Sequence, residues 1–385
     1  MNAVLSCDAA GYGGMTPANS MALLPLAALG ADDLAAWDRL ATGAGTGNVF
    51  SRPWFLRHSL ACFDPKGEAR LAVARDASGE WTGVIPLVFA RLYGRAPLPH
   101  WSAWRHANQF VGTPLVRRGC EGAFWSALLA FLDKENAAAA ALRLFDLPAD
   151  DPVNAALSDC CRSEGREFHV DHRFERAMLA CAGQAPEPRP KDRRRLASLR
   201  RKLEREVGPV EFIGWRQGDD VPALVGQFLA LEHSGWKGLQ GSSLTSSEDT
   251  GGFFASVMAS AASEGTLDAL TLRAGGVPLA MSTHFVGPMR GFGFKMAYDE
   301  AFGCYAPGVL LLDELTRRFA ELGVPQVDSC SAPGQQPVSR MWPGRRTLVE
   351  GRVALGGPLR RAAFRAFGTV EDLRGRVRAG AAANA

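Results

Sequence analysis

Residues 290–308 read as a strand that passes through a Pro-Gly pair into a helix, and this order restricts the fold more than any other part of the sequence. Phe292, Phe294 and Met296 alternate with small or charged residues, which predicts a strand with one apolar face. In residues 309–322, leucines and a phenylalanine recur at helical spacing between charged residues, which predicts an amphipathic helix. Leu311, Leu312, Leu315, Phe319 and Leu322 form its predicted apolar face, and Asp313, Glu314, Arg317 and Arg318 its polar face.

Pro307 and Gly308 suit the beginning of that helix for different reasons. A proline fits the first turn because its missing N–H has no intrahelical partner there, and a glycine leaves room for a ligand to approach the backbone. The free N–H groups and the helix dipole favour an anion at such an N-terminus. An ordinary strand–loop–helix connection would use the same two residues, so both interpretations stay open here.

Length and composition indicate a globular protein of two domains. The chain has 385 residues, of which 47% are apolar and 22% charged. The net charge of +3 is too small for this length to indicate a class of partner. No apolar run approaches the roughly 20 residues that span a bilayer, and the N-terminus has no signal-peptide pattern, so we expect a cytoplasmic protein.

The eight cysteines do not form a metal-binding pattern. None belongs to a Cys-x-x-Cys pair and no histidine stands at ligand spacing, so we expect no metal and free thiols in a reducing compartment. Cys304 and Cys330 flank the strand–helix segment. A nucleophilic cysteine remains an alternative there, although no catalytic histidine context accompanies either residue.

The two halves of the chain repeat one order of elements. Hairpins are predicted at residues 70–92 and 267–285, and closing strands at 141–147 and 324–330. The predicted organisation is a disordered N-terminus (1–20), an N-terminal unit (21–181), a Pro-rich linker with a basic helix (182–206), a C-terminal unit (207–355) and a C-terminal helix or tail (356–385).

Two further segments have an unusual composition. The basic helix of residues 193–205 presents either a solvated face or a contact to a phosphate or acidic ligand. A stretch rich in Trp, Pro and His at residues 97–114 reads as an irregular segment that packs over another part of the molecule.

The order of hairpin, strand, glycine-bearing helix start and closing strand resembles the core of the GNAT acyltransferases. Its duplication resembles the Fem-type peptidyl transferases, which place two GNAT-like units in tandem. A closer resemblance, to CelD-type acyltransferases linked to polysaccharide synthesis, is carried by residues 193–205, 231–238 and 294–308. The resemblance implies an α/β fold of two tandem GNAT-like units, each a mixed sheet flanked by helices.

The GNAT resemblance and the Fem resemblance imply different acyl donors. GNAT resemblance implies acyl-CoA, with acetyl-CoA among the candidates, whereas Fem resemblance implies an aminoacyl-tRNA; a catalytically silent binding module is a third alternative. Residues 301–308 fit the GNAT pyrophosphate signature only in part. The donor-binding residues implied by the resemblance are Tyr305, Ala306, Pro307, Gly308 and Val309.

Acyl transfer to an amine or hydroxyl needs a base and donors for the developing oxyanion. Glu232 is the predicted base, or else a solvated carboxylate or a partner of Lys237. Lys295 is expected on the strand face opposite its apolar neighbours, where it lines a cleft or stays on the surface. Tyr298 and Tyr305 are candidate general acids or hydrogen-bond donors to the oxyanion. We expect one of the two to have only a packing role.

The remaining candidates concern the acceptor, for which the resemblance implies a sugar or another envelope precursor. Trp236 and Lys237 are predicted to line its pocket, or else Trp236 only packs in the core. Asp299 either orients a tyrosine or closes a turn, and Asp328 either faces the cleft or caps a turn. We expect neither a metal nor DNA as a partner.

Overall fold

A computed structural model describes residues 20–94, 96–181 and 185–369 of the chain. The strands are β1 (Ser20–Leu24), β2 (Arg70–Arg75), β3 (Trp81–Ala90), β4 (His100–Ala103), β5 (Leu115–Val116), β6 (Ala141–Pro148), β7 (Phe168–Ala180), β8 (Val210–Gly214), β9 (Leu267–Ala274), β10 (Val277–Val286), β11 (Gly291–Tyr298), β12 (Gln326–Asp328) and β13 (Gly344–Ala354). The helices are α1 (Ala31–Thr42), α2 (Pro53–Phe63), α3 (Glu121–Glu135), α4 (Pro152–Ser163), α5 (Pro190–Glu206), α6 (Val221–Ser234), α7 (Trp236–Leu239), α8 (Glu248–Ser263), α9 (Pro307–Glu321), α10 (Val338–Met341) and α11 (358–369).

Ser20 is the first residue of β1 and pairs with Arg75, so it does not belong to a disordered N-terminus. The rest of that predicted segment, part of the predicted linker (182–184) and most of the predicted tail (370–385) lie outside the described residues.

The strands form a single mixed sheet in the order β1-β2-β3-β4-β6-β13-β7-β12-β11-β10-β9-β8, with β5 beside β3. In the first half, β1 to β4 are antiparallel and β4 pairs with β6 in parallel. In the second half, β8 to β11 are antiparallel and β11 pairs with β12 in parallel. The repeat of topology confirms the tandem α/β architecture predicted from the order of elements.

The two units exchange strands at the centre of the sheet. Strand β7, the last strand of the first unit, pairs with β12 of the second unit. Strand β13, at the end of the second unit, pairs with β6 of the first. The exchanged strands also pair with each other over most of their lengths. A boundary drawn along the chain therefore separates strands that are paired in space.

A β-bulge in β11 changes which side chains face the core. Thr283 of β10 lies opposite Lys295 and His284 lies opposite Gly293, so the extra residue Phe294 has no partner on β10. After the bulge, side chains again alternate between the two faces of the sheet, but each residue now points to the face opposite to the one that the pattern before the bulge predicts. Met296 is consequently exposed, and its predicted place on the apolar face was wrong.

Helix α9 is amphipathic as predicted, with two exceptions. Leu322 lies after the last helical residue and is exposed, so it does not belong to the apolar face. Arg318 is not on the solvated face, because its guanidinium donates to the buried carboxylate of Asp268 at 2.6 Å. Arg317 does lie on the polar face and forms ion pairs with Asp313 and Glu314.

Aromatic side chains join the two units next to the bulge. Phe55 of α2 contacts Phe253 of α8 and Phe294 of β11 edge-on, with ring centroids 5.7 and 6.0 Å apart. Phe50 contacts Phe292 in the same way at 5.6 Å. Helix α2 of the first unit therefore packs on the face of β11 that carries Phe294. Within the described residues, no helix has both the length and the apolarity to cross a membrane.

Candidate active site

Lys295 lies at the seam between the units, on the face of β11 that carries Phe294. Its Nζ is 5.5 Å from the ring centroid of Phe294 and 5.9 Å from that of Phe110. The same Nζ donates a hydrogen bond to Oδ1 of Asn108 at 2.6 Å. The expected position opposite the apolar neighbours was wrong, because the bulge turns Phe294 and Lys295 toward the same side.

Glu232 and Lys237 form a buried ion pair near this lysine. Oε1 of Glu232 accepts from Nζ of Lys237 at 2.6 Å, and Oε2 accepts from the N–H of Leu244 at 2.8 Å. Glu232 is 5% exposed. Both carboxylate oxygens are therefore occupied, which favours the ion-pair alternative over a free general base; the role of Glu232 stays a prediction.

Burial and, to a smaller extent, neighbouring charges set the protonation of Lys295. Burial lowers the pKa of Lys295 to about 8, with a further lowering by the charge of Lys237 and an opposing effect of Glu232. An amine with this pKa exists in both protonation states near neutral pH. It can therefore accept a proton from one group and return it to another.

Tyr298 lies on the opposite side of β11, beside the N-terminus of α9. A Cβ added to Gly308 would stand 3.4 Å from Cδ1 of the Tyr298 ring. The N–H of Gly308 has no acceptor among the described residues, whereas the N–H groups of Val309 and Leu310 both donate to the carbonyl of Ala306. Gly308 therefore presents one free main-chain donor at a helix N-terminus.

Tyr305 points toward the basic helix α5 and away from Lys295. Its hydroxyl donates to Oε2 of Glu206 at 3.1 Å, and Nζ of Lys202 lies 5.0 Å from its ring centroid. Ala306 has a left-handed backbone with φ of 50°, and Pro307 follows it as the first residue of α9. The predicted donor-binding residues thus lie between α5 and α9, apart from the lysine and glutamate cluster.

Asp299 closes a turn, since its Oδ1 accepts from the N–H of Ala301 at 2.9 Å. Asp328 is fully buried and accepts from the guanidinium groups of Arg176 and Arg346. These two cations lower the pKa of Asp328 to about 2 against the effect of burial. Oδ1 of Asp328 also accepts from the N–H of Cys330 at 3.0 Å, which is the turn contact expected as its second alternative. Asp328 therefore links the units, and its role toward a substrate stays a prediction.

Three other candidates are less informative. Trp236 begins α7, and its side chain lies outside the described part of the structure. The thiol of Cys330 is buried, and burial with the charge of Asp328 raises its pKa well above the ordinary value, which disfavours a nucleophilic thiolate. Cys304 is exposed. No cluster of metal-ligating side chains occurs among the residues described.

The first unit has an arginine in ion pairs just after β4. Nη1 of Arg105 bonds to Asp146 at 3.3 Å and to Glu350 at 2.9 Å. Its guanidinium also lies 3.8 Å from the ring centroid of Phe145. Arg105 therefore links β6 to β13.

Residues 190–334 match the family model of the acetyltransferase (GNAT) domain. The matched segment is similar to GNAT domains and covers less than half of the chain. It begins with the basic helix α5 and contains Glu232, Lys295 and the N-terminus of α9.

Solved structures share the fold beyond the matched segment. A conserved protein of unknown function from Bacteroides thetaiotaomicron has a TM-score of 0.53 at 13% identity, over 84% of this chain and 97% of that one. FemX has a TM-score of 0.50 at 11% identity, over 83% and 95%. L-PGS from Bacillus licheniformis has a TM-score of 0.50 at 13% identity, over 84% and 91%. The predicted resemblance to Fem-like tandem GNAT proteins is confirmed at the level of fold. No significant match was found among curated proteins.

Sequence reasoning missed Asn108 and Arg176. Asn108 belongs to the Trp- and His-rich stretch, whose composition indicated packing over another part but not contact with Lys295. Arg176 lies in a strand of the first unit, and no local pattern relates it to Asp328, which is 152 residues away.

Proposed function

We propose that this protein transfers an acyl group from acyl-CoA to an amine or hydroxyl acceptor, with Lys295 as the proton-transfer group. The observation that carries the proposal is the lysine itself, half-buried at the seam within the segment similar to GNAT domains and with its pKa lowered to about 8. Perturbed pKa values cluster at functional sites, where burial and neighbouring charges bring a group near the pKa that proton transfer needs.

The shape of β11 supports a donor on its open side. Among the described residues β12 pairs with β11 only at Gly291 and Phe292, so the main chain of residues 294–298 is unpaired on that side. A pantetheine chain carries amide groups that can pair with such an edge. The free N–H of Gly308 lies beyond Tyr298, and the positive end of the α9 dipole suits a phosphate there.

When bound, the thioester supplies the activated acyl carbon. The neutral amine of Lys295 accepts the proton that the acceptor loses as its nitrogen or oxygen forms the new bond to that carbon. The resulting ammonium returns the proton to the departing thiolate sulfur, so protons and charge balance over one turnover. Tyr298 stands on the donor side of β11, and its hydroxyl is the candidate for orienting the donor.

The acceptor is proposed to be a sugar or another envelope precursor, an assignment that rests on the resemblance to CelD-type acyltransferases. The cytoplasm is the corresponding proposed location, because acyl-CoA is made and used there.

Thermal unfolding with free CoA and acyl-CoAs of different chain length tests the donor. A ligand at one hundred times its Kd stabilises the fold by about 2.7 kcal/mol. For a chain of this size we expect the unfolding midpoint to rise by ~2 °C. Transfer to amine and hydroxyl acceptors would then be followed by release of free thiol. No shift and no thiol release with any acyl-CoA would overturn the proposal.

An aminoacyl-tRNA donor is a second candidate, favoured by helix α5. Arg194, Arg195 and Arg201 are exposed and have no ion-pair partner among the described residues. This helix lies beside Tyr305 near the N-terminus of α9. Binding of tRNA that weakens steeply with salt, together with no acyl-CoA binding, would select this alternative.

A further inference from the structure

Residues 104–110, here called the seam loop, come from the first unit and reach the site of the second. The N–H of Trp104 donates to the carbonyl of Pro86 at 2.8 Å, which fixes the beginning of the loop to β3. Nη1 of Arg176 donates to the carbonyl of Phe110 at 2.8 Å, which fixes its end to β7. The seam loop is therefore tied at both ends to strands of the shared sheet.

Aromatic contacts hold the middle of the seam loop. The His106 ring stacks on Phe63 of α2, with centroids 4.4 Å apart, and meets Phe253 of α8 edge-on at 5.5 Å. Burial and the charge of Lys295 lower the pKa of His106 to about 3, so its ring stays neutral. Nδ1 of this ring accepts from the N–H of Asn108 at 3.4 Å. The position of Asn108 thus depends on both units.

Asn108 makes the direct contact between the seam loop and Lys295. It is 7% exposed, and its Oδ1 accepts from Nζ of Lys295 at 2.6 Å. No other hydrogen bond of this amine occurs among the described residues, and its near neighbours are the rings of Phe110 and Phe294. Because a lysine amine has more than one hydrogen, one bond to Asn108 leaves the rest of the group free to face a substrate.

We propose that Asn108 is a positioning residue by which the first unit holds the amine of Lys295 for proton transfer in the second unit. This inference rests on the proposed role of Lys295. A lysine side chain has large rotamer freedom, so an amine without a fixed acceptor would spend little time in one orientation. An amide holds the amine without adding charge, whereas a carboxylate at the same place would favour the ammonium and remove the base.

The first unit thereby has a function. Its seam loop supplies the acceptor for the amine of Lys295 and completes the site of the other unit. The strand exchange between β7 and β13 keeps the units in a fixed relation, which such a contact requires.

The test compares Asn108→Ala, Asn108→Ser and Asn108→Asp with the control Gln109→Ala. Gln109 is the neighbouring amide in the seam loop, and within the described ranges it does not bond to Lys295 and its Oε1 has no hydrogen-bond partner. We expect Asn108→Ala to lower kcat tenfold or more with donor KM changed less than twofold. Asn108→Ser places a hydroxyl acceptor on a shorter side chain, so its kcat should lie between those of Asn108→Ala and the parent protein. Gln109→Ala should have a kcat within twofold of the parent.

The second readout is independent of activity. Competitive labelling of the full-length protein with acetic anhydride, followed by mass spectrometry, measures how the reactivity of Lys295 depends on pH. In Asn108→Asp we expect the midpoint to move up by a pH unit or more, because a carboxylate would contact the amine. Thermal unfolding of each variant establishes that it is folded before either readout is taken.

The two readouts separate the two proposals. A shifted labelling midpoint in Asn108→Asp without transfer from any donor supports the contact and rejects the proposed function. Transfer activity with an unshifted midpoint, and with kcat of Asn108→Ala within twofold of the parent, rejects the role of Asn108 and leaves the proposed function standing.

Discussion

Arg176 and Asp328 join the two units through a bidentate ion pair with no exposure at the carboxylate. Nε and Nη2 of Arg176 donate to the two carboxylate oxygens at 2.6 and 2.7 Å. Arg346 donates to one of the same oxygens at 2.7 Å. Arg176 also donates to the carbonyl of Phe110 in the seam loop. The pair therefore connects the centre of the sheet to the segment that contacts Lys295.

Asp328→Asn is expected to lower the free energy of unfolding by ~3–5 kcal/mol, because it leaves the buried guanidinium of Arg176 without its counter-charge and leaves Arg346 with Asp150 alone. The matched control is Glu80→Gln, which removes an exposed ion pair with Arg39 and should change the free energy of unfolding much less. Urea unfolding followed by tryptophan fluorescence measures both. A cost for Asp328→Asn no larger than that of the control would contradict a linking role.

The same pair predicts the response of stability to acid. The pKa of Asp328 is lowered from its ordinary 3.8 to about 2, so its ionised form is favoured by folding. Its contribution to stability is complete above pH ~4 and is lost as the pH falls through about 2. Unfolding curves between pH 5 and 2 should therefore show a loss of stability that is smaller in Asp328→Asn. An equal slope in both proteins would assign the acid response to other groups.

The pH dependence of transfer should report on Lys295. Because the neutral amine is the base and its pKa is about 8, kcat/KM should rise with pH and level off above a midpoint near 8. Lys295→Arg keeps the charge but cannot be deprotonated, so a loss of ~100-fold is expected in a folded protein. The control Lys134→Arg changes an exposed lysine of the first unit. Full activity of Lys295→Arg would exclude proton transfer by this residue.

Glu232 and Lys237 should move that midpoint in opposite directions. The charge of Glu232 raises the pKa of Lys295, so Glu232→Gln is expected to shift the midpoint of kcat/KM to lower pH. The charge of Lys237 lowers that pKa, so Lys237→Met is expected to shift the midpoint to higher pH. Shifts of about half a pH unit or more suit charges near a partly buried amine. Shifts in the same direction would show that the variants act through a change of structure.

Gly308 tests the position of the donor phosphates. Gly308→Glu puts a negative charge beside the free N–H at the start of α9, and donor KM should rise about tenfold through repulsion. Gly308→Gln has nearly the same size without the charge, and any crowding against the Tyr298 ring is common to both variants. The difference between the two should diminish with added salt. Equal KM values for the two variants would place the phosphates elsewhere.

The strand–helix segment shows how far local patterns in the sequence predict side-chain positions. Pattern alone correctly predicted β11 and α9, because alternation and helical spacing follow from the geometry of single elements. It misplaced Lys295, Met296 and Arg318. The first two errors come from the bulge at Phe294. The extra residue shifts the alternation of side chains between the two faces of β11 by one position, and the local sequence has no clear signal for it. The third comes from Asp268, a buried carboxylate 50 residues away that draws the guanidinium inward.

The amino-acid sequence by itself determined the order of strands and helices, their duplication and the glycine-bearing start of α9, because these depend on neighbours within a few residues. Only the tertiary structure decided that β7 pairs with a strand of the second unit and β13 with a strand of the first. It also decided that Arg176 forms an ion pair with Asp328 and that Lys295 donates a hydrogen bond to Asn108. These contacts join residues 152 and 187 positions apart in the chain. Their stability comes from burial and charge pairing between surfaces that only the folded chain brings together.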